Sequence, residues 1–185
     1  GAERTIRPTP AATLVSVRIK RAVDLIAADF ERKTIDAYGL IRAALSTLSA
    51  GEPVRFWNQL PAIHHPMDAG RDRYMVFSAG RHRAFCDWFG SGDELAGRVA
   101  TASGGGHRGG DLVIHCLAAV KRGIAVENPR QIPAFRYSKR YGPLPPCFAR
   151  ATIVRDLLPA GPAVLVAGTA SIRRQKTVYD DQLEG

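Results

Sequence analysis

The sequence predicts an α+β fold, with a mostly antiparallel sheet packed against helices. Three observations carry this. Alternating or continuous apolar runs at 13–19, 111–120, 148–155 and 163–172 read as strands. Two longer segments, 20–50 and 68–89, repeat apolar residues at helical spacing. The two kinds of element follow one another in mixed order.

Taken in order, residues 1–12 read as an irregular arm, because Pro8 and Pro10 interrupt a polar segment. Residues 13–19 (TLVSVRI) alternate and read as a strand. In 20–50, Ile35, Tyr38, Ala43, Leu45 and Leu48 recur near helical spacing, and Gly51 stops the run. Residues 53–58 (PVRFWN) are a short strand, and 59–67, with two prolines, a loop. From Asp68 to Phe89 the positions Tyr74, Phe77, Arg81, Phe85 and Trp88 are three or four apart, so they share one helix face. Gly80 inside that helix costs about 1 kcal/mol relative to Ala, which points to close packing or close approach of a ligand. Residues 90–110 are glycine-rich and hold at most one short strand (RVATAS), and GGGHRGG (104–110) reads as a flexible turn. It lacks the GxxxxGK[ST] pattern of a phosphate loop, and a strand follows it. Residues 123–146 read as a long structured loop with one strand at most. The last two strands are joined by a turn at 159–162. The expected organisation is an arm, strand and helix over 1–50 and a second region over 51–185.

The chain has 185 residues, 45% hydrophobic and 23% charged, which suits a globular core and excludes wholesale disorder. The net charge of +9 favours anionic partners. No run of five basic residues occurs, so the charge is spread in a way that argues against nucleic acid. Cys86, Cys116 and Cys147 are widely spaced and form no CxxC, which disfavours a disulfide framework or a zinc site and fits a reducing cytoplasm. No apolar run has the roughly 18 residues that a membrane span needs, and no signal peptide is visible. No metal-ligand spacing and no GxSxG elbow appear. His115, inside a strand, reads as a satisfied core residue.

Two constellations could carry chemistry. The 68–89 helix presents Arg73, Tyr74, Phe77 and Arg81, and arginine suits bidentate carboxylate binding. The same pattern also describes a core face with arginines snorkelling at its edge. The segment 128–151 interleaves Arg130, Arg136, Arg140 and Arg150 with Phe135, Tyr137, Tyr141 and Phe148. Aromatic walls with cationic heads suit an unsaturated ring bearing carboxylates. They also suit stacked single-stranded RNA, or a proline-braced surface loop. GTAS at 168–171 leaves room beside a ligand, or serves tight packing.

The strings VRFWNQLPAI (54–63), GRDRYMVFSAGRHRAF (70–85), ENPRQIPAFRYSKRYGPLPPCFARA (127–151) and VAGTASI (166–172) together resemble the motifs of the chorismatase family, in order and approximate spacing. The resemblance covers residues 54–172. It implies a YjgF/RidA-like α+β fold and release of pyruvate from chorismate, giving a hydroxybenzoate or a dihydroxycyclohexadiene carboxylate. It implies no metal or organic cofactor, and a homotrimer by analogy with YjgF proteins. By motif, Arg73, Tyr74 and Arg81 belong to a substrate-binding helix. Tyr137, Tyr141 and Arg150 line the pocket, and Gly168, Thr169 and Ala170 give the ring space. The family protonates the enol-ether methylene with a glutamate whose pKa its site must raise. This sequence departs from the family after Ile172. Tyr179 stands roughly where a histidine is usual, and Glu184, the one late glutamate, does not match the catalytic position, so the chain reads as truncated or divergent there. Two further readings stand beside a chorismatase-like lyase. One is a YjgF/RidA-type binder of a small carboxylate, non-catalytic or with imine-deaminase activity. The other is an RNA-binding module.

Overall fold

The computed structural model describes residues 1–138 and 142–168, with the backbone of 172–173 and 176–177. The fold is α+β with a mostly antiparallel sheet. The main sheet contains β1 (Ala2–Pro8), β2 (Ala12–Ile19), β3 (Glu52–Pro61), β6 (Thr101–His107) and β7 (Leu112–Ala119), in the order β1-β2-β7-β3-β6. Its pairs are antiparallel except β3 with β6, which run parallel. A short hairpin, β4 (Pro66–Asp68) with β5 (Arg71–Asp72), leads into the second helix.

The alternation read in 13–19 fixes which side faces inward. Val15, Val17 and Ile19 are buried, and the register sets them opposite Cys116, Ile114 and Leu112 of β7, also buried. Helices α1 (Ala27–Leu45) and α2 (Arg73–Phe89) cover this face. Phe30, Tyr38, Ile41 and Leu45 of α1 meet Phe77, Phe85 and Phe89 of α2 over Phe56 and Leu60 of β3. Tyr38 and Phe85 pack edge to face, with ring centroids 5.1 Å apart. On the other face His115 is half-buried, with Nδ1 2.8 Å from the Ser16 hydroxyl directly opposite, so it is satisfied but is not a core residue.

Several local expectations are corrected. Residues 2–8 are strand β1 and not an irregular arm; every residue in it is exposed. It is held by the backbone ladder to β2, which leaves no hydrophobic period to read. Helix α1 stops at Leu45, short of Gly51. Gly51 lies where the chain doubles back, and a β-carbon there would stand 2.5 Å from the Leu45 carbonyl oxygen. Helix α2 starts at Arg73 and not Asp68, because the Asp72 carboxylate accepts from the Met75 N–H and caps it. The strand expected at 53–58 extends through Pro61. GGG at 104–106 is not a flexible turn but the middle of β6. A β-carbon on Gly104 would lie 3.0 Å from the Tyr74 ring, and one on Gly106 would lie 2.5 Å from Ile63 Cγ2. Glycine here serves close approach.

A second sheet holds β8 (Ile124–Val126), β9 (Ala151–Leu158) and β10 (Gly161–Val166), in the order β10-β9-β8. Val154, Leu157 and Leu165 pack on Val54, Leu117 and Ala119 of the main sheet. Thr152 ties the layers together: its hydroxyl is 2.6 Å from that of Thr101 and accepts the Thr101 N–H at 3.0 Å. A short helix, α3 (Asp93–Arg98), follows α2. No helix among the described residues is long and apolar enough to cross a membrane.

A cavity over a buried arginine: the candidate ligand site

Helix α2 runs beside the first half of β6, and a cavity of about 330 Å³ opens between them. Tyr74, Arg81, Ala102, Ser103, Gly104, Phe148 and Gly168 line it. Its volume is at the small end of ligand pockets, roughly 300–1,000 Å³.

Arg81 is the chemical centre. It is 1% exposed, and its Nε and Nη2 atoms find no hydrogen-bond partner among the described residues. Its guanidinium stacks on Phe77, with Cζ 5.2 Å from the ring centroid. A guanidinium keeps its charge even when buried. A buried cation with two undirected N–H groups is costly unless an anion joins it. Tyr38 backs the site from α1: its hydroxyl donates to Asn58 Oδ1 at 2.7 Å. Asn58 in turn donates from Nδ2 to the Ser103 carbonyl at 2.9 Å. Burial pushes the Tyr38 hydroxyl above its ordinary value, and the Arg81 charge opposes that rise. From the same strand, Arg55 donates from Nη2 to the Ser103 hydroxyl at 3.0 Å. β3 therefore braces β6 at Ser103 in two ways.

Helix α2 and the 128–151 segment each split into parts. Tyr74 and Arg81 reach the cavity, while Phe77 and Phe85 enter the core, so each reading of that face describes half of it. Arg81 does not snorkel. Arg73 does not line the cavity. It is 2% exposed and donates to the carbonyls of Pro61 at 2.8 Å and Val23 at 3.0 Å, with Phe30 5.6 Å from Cζ. These bonds clamp the end of β3 and the 22–24 turn to the start of α2. Arg150 donates to the Tyr137 hydroxyl and to the Ile132 carbonyl at 3.3 Å. Its guanidinium also sits over the rings of Phe148 and Tyr137, at 5.1 and 5.7 Å. Phe148 thus joins the Arg150–Tyr137 pair to the Arg81 cavity. Gly168 lines the cavity directly. Tyr141, Thr169 and Ala170 lie outside the described residues.

The sequence reading passed over Arg55, Asn58 and Ser103. Arg55 and Asn58 lie inside VRFWN, where a charge and an amide interrupt an otherwise apolar strand, and a buried strand carries such groups only with partners. Glu127 also went unremarked. Burial raises its carboxyl above the ordinary range, against the lowering effect of the Arg150 backbone N–H and charge. Also from α2, His82 Nδ1 lies 3.0 Å from the Cys147 thiol and holds the segment leading to Phe148 against the helix. Burial pushes that thiol up to about 12, so it is no thiolate nucleophile at neutral pH.

Comparison with known proteins adds four findings. A family model described as the N-terminal part of FkbO/Hyg5-like chorismatase matches residues 4–118. The chain is 34% identical over 157 residues to a 3-hydroxybenzoate synthase of Streptomyces hygroscopicus, covering 83% of this chain and 45% of that protein. It is also 34% identical over 144 residues to a chorismatase of the same organism, covering 75% and 40%. A crystal structure of a chorismatase superposes with a TM-score of 0.80 at 29% identity, over 95% of this chain and 50% of that one. The chain therefore spans half or less of the length of these relatives.

Proposed function

The chain belongs to the chorismatase family, in its FkbO/Hyg5-like branch, and on that premise we propose that it builds the chorismate-holding part of a pyruvate-releasing site. The observation that carries this is the Arg81 cavity. It offers a buried cation with two free N–H directions among the described residues, a phenol at Tyr74 and an aromatic wall at Phe148. A ring carboxylate accepting from Arg81 would satisfy those donors. Phe148 and the bare backbone of Gly104 and Gly168 would flank the flat diene. Arg150, over Phe148 and bonded to Tyr137, would hold the second carboxylate, on the enolpyruvyl arm.

Pyruvate release begins with a proton delivered to the methylene of that arm, followed by attack of water or of the ring on the oxocarbenium. Among the described residues, no carboxyl lines the Arg81 cavity, so the part proposed for these residues is binding and orientation. Three free cysteines support a reducing, cytoplasmic setting.

Two measurements on one sample test this reading. Chorismate at 100 times its Kd should stabilise the fold by about 2.7 kcal/mol, raising Tm by about 5–10 °C for a domain of this size. Arg81→Met should abolish that rise while leaving the ligand-free Tm equal or higher, because a buried, under-partnered charge is removed. Pyruvate is followed in parallel with coupled lactate dehydrogenase. Stabilisation with pyruvate supports the lyase. Stabilisation without pyruvate supports a YjgF-type carboxylate binder. An unchanged Tm, or a full response in Arg81→Met, rejects the site.

A further inference from the structure

Behind the Arg81 cavity runs a chain of buried polar groups whose direction is fixed. It ends on the Ser103 backbone carbonyl, which can only accept, so Asn58 must turn its Nδ2 toward it, at 2.9 Å. That leaves Asn58 Oδ1 as an acceptor, and the Tyr38 hydroxyl donates to it at 2.7 Å. The single phenol proton is thereby committed, and Tyr38 can offer its other neighbours only a lone pair. Asn58 is fully buried and Tyr38 is 1% exposed, so no solvent competes for these groups.

The neighbour that meets the lone pair is Arg81. The Tyr38 hydroxyl and the Arg81 guanidinium interact through a hydrogen bond and through charge. Both side chains also pack on Phe77: the Tyr38 ring centroid lies 6.3 Å from that of Phe77, and Arg81 Cζ lies 5.2 Å from it. Phe77 thus sets the plane of the guanidinium and Tyr38 its rotation. The atoms of Arg81 left without a partner among the described residues are Nε and Nη2. These two share one edge of the guanidinium, whose parallel N–H bonds match the two oxygens of a carboxylate. Tyr38 itself does not line the cavity, so it can act only through Arg81.

We propose that Tyr38, locked by Asn58, is a positioning residue that turns the Nε–Nη2 edge of Arg81 toward the cavity and so gives the site its preference for a carboxylate over a neutral carboxamide. The inference rests on the reading that Arg81 receives the ring carboxylate of the ligand. A guanidinium free to rotate would present single N–H bonds, which a carboxamide oxygen satisfies as well. Because the polar chain ends on Ser103, which lines the cavity from β6, it also sets the arginine relative to a second wall of the same site.

The test compares two probes, 3-hydroxybenzoate and 3-hydroxybenzamide, which share the ring and its hydroxyl and differ in the charged group. Binding to the 185-residue chain is followed by NMR at the Arg81 Nε–H, assigned as the arginine signal missing from Arg81→Met. In the unaltered chain the carboxylate binds roughly tenfold tighter than the amide, or more, and moves the Nε–H signal downfield. Tyr38→Phe removes one oxygen and keeps the ring. It should bring the two affinities to within about threefold, chiefly by weakening the carboxylate. Phe85→Leu loosens the packing around the same ring without touching the polar chain, so it lowers the urea midpoint and keeps the preference. Should Tyr38→Phe fail to fold, Asn58→Ala carries the same test. It frees the phenol proton to turn toward Arg81, and the preference falls likewise. A folded Tyr38→Phe or Asn58→Ala chain that keeps the full preference overturns the inference and leaves the Arg81 reading intact. So does a Phe85→Leu chain that loses it. An unaltered chain with neither preference nor Nε–H shift rejects the Arg81 reading, and this inference with it.

Discussion

Substituting Gly80 with alanine sets two effects of opposite sign against each other. Within α2, the change should stabilise the helix by about 1 kcal/mol. The structure places Gly80 where α2 crosses α1, and an added β-carbon would lie 2.8 Å from the Glu31 carbonyl oxygen and 2.9 Å from Thr34 Cβ. Neither neighbour can rotate aside: one is backbone, and the other is rooted directly in α1. The helices must therefore separate, and overpacking of this kind costs about 1–3 kcal/mol. With two such contacts the upper part of that range applies, leaving a net loss of about 1–2 kcal/mol after the helix gain. For a chain of this size that lowers Tm by about 2–8 °C. Gly39 supplies the control. It lies inside α1, and a β-carbon there meets nothing within 4 Å. Gly39→Ala should therefore show the propensity gain alone, about 1 kcal/mol. Urea and thermal unfolding of the two variants read the comparison directly. If Gly80→Ala gains stability as Gly39→Ala does, the helix crossing drawn here is wrong.

Two further outcomes follow from the site and its supports. Gly104→Ala places a β-carbon 3.0 Å from Tyr74 Cε2. The ring must turn within the cavity, so chorismate affinity should fall roughly tenfold, about 1.4 kcal/mol, with the urea midpoint little changed; unchanged affinity by titration calorimetry would separate Tyr74 from the ligand. Burial, with Arg81 and Arg83 adding to it, depresses the His82 imidazole below its ordinary value, while a backbone hydrogen bond opposes the shift. The unfolded chain therefore takes up the proton more readily. The stability contributed by the neutral ring is full above about pH 6.5 and is lost as the pH falls through the depressed folded value. The urea midpoint should drop between pH 7 and pH 5, and His82→Asn should shrink that drop without removing it, since burial also depresses His115. An identical drop in the variant would assign the effect elsewhere.

Much of this was legible in the residues. The alternation of 13–19 and the apolar run of 111–120 gave β2 and β7 and their inward faces. The three-and-four spacing of α2 put Tyr74 and Arg81 on one side, where the cavity uses both. The motif strings led to the family that the comparisons support. These signals are local: a period of 2 or 3.6 says which residues share a face. It does not say what lies opposite. Arg73 and Arg81 look alike in sequence, yet one is bound by the carbonyls of Pro61 and Val23 and the other is left facing a cavity. β1 exists through its ladder to β2, and the glycines of β6 are there to admit Tyr74 and Ile63. The sequence by itself determined the elements, the inward faces and the family. Only the tertiary structure decided which arginine faces a cavity and which apolar face is left bare, because both depend on neighbours distant in the chain.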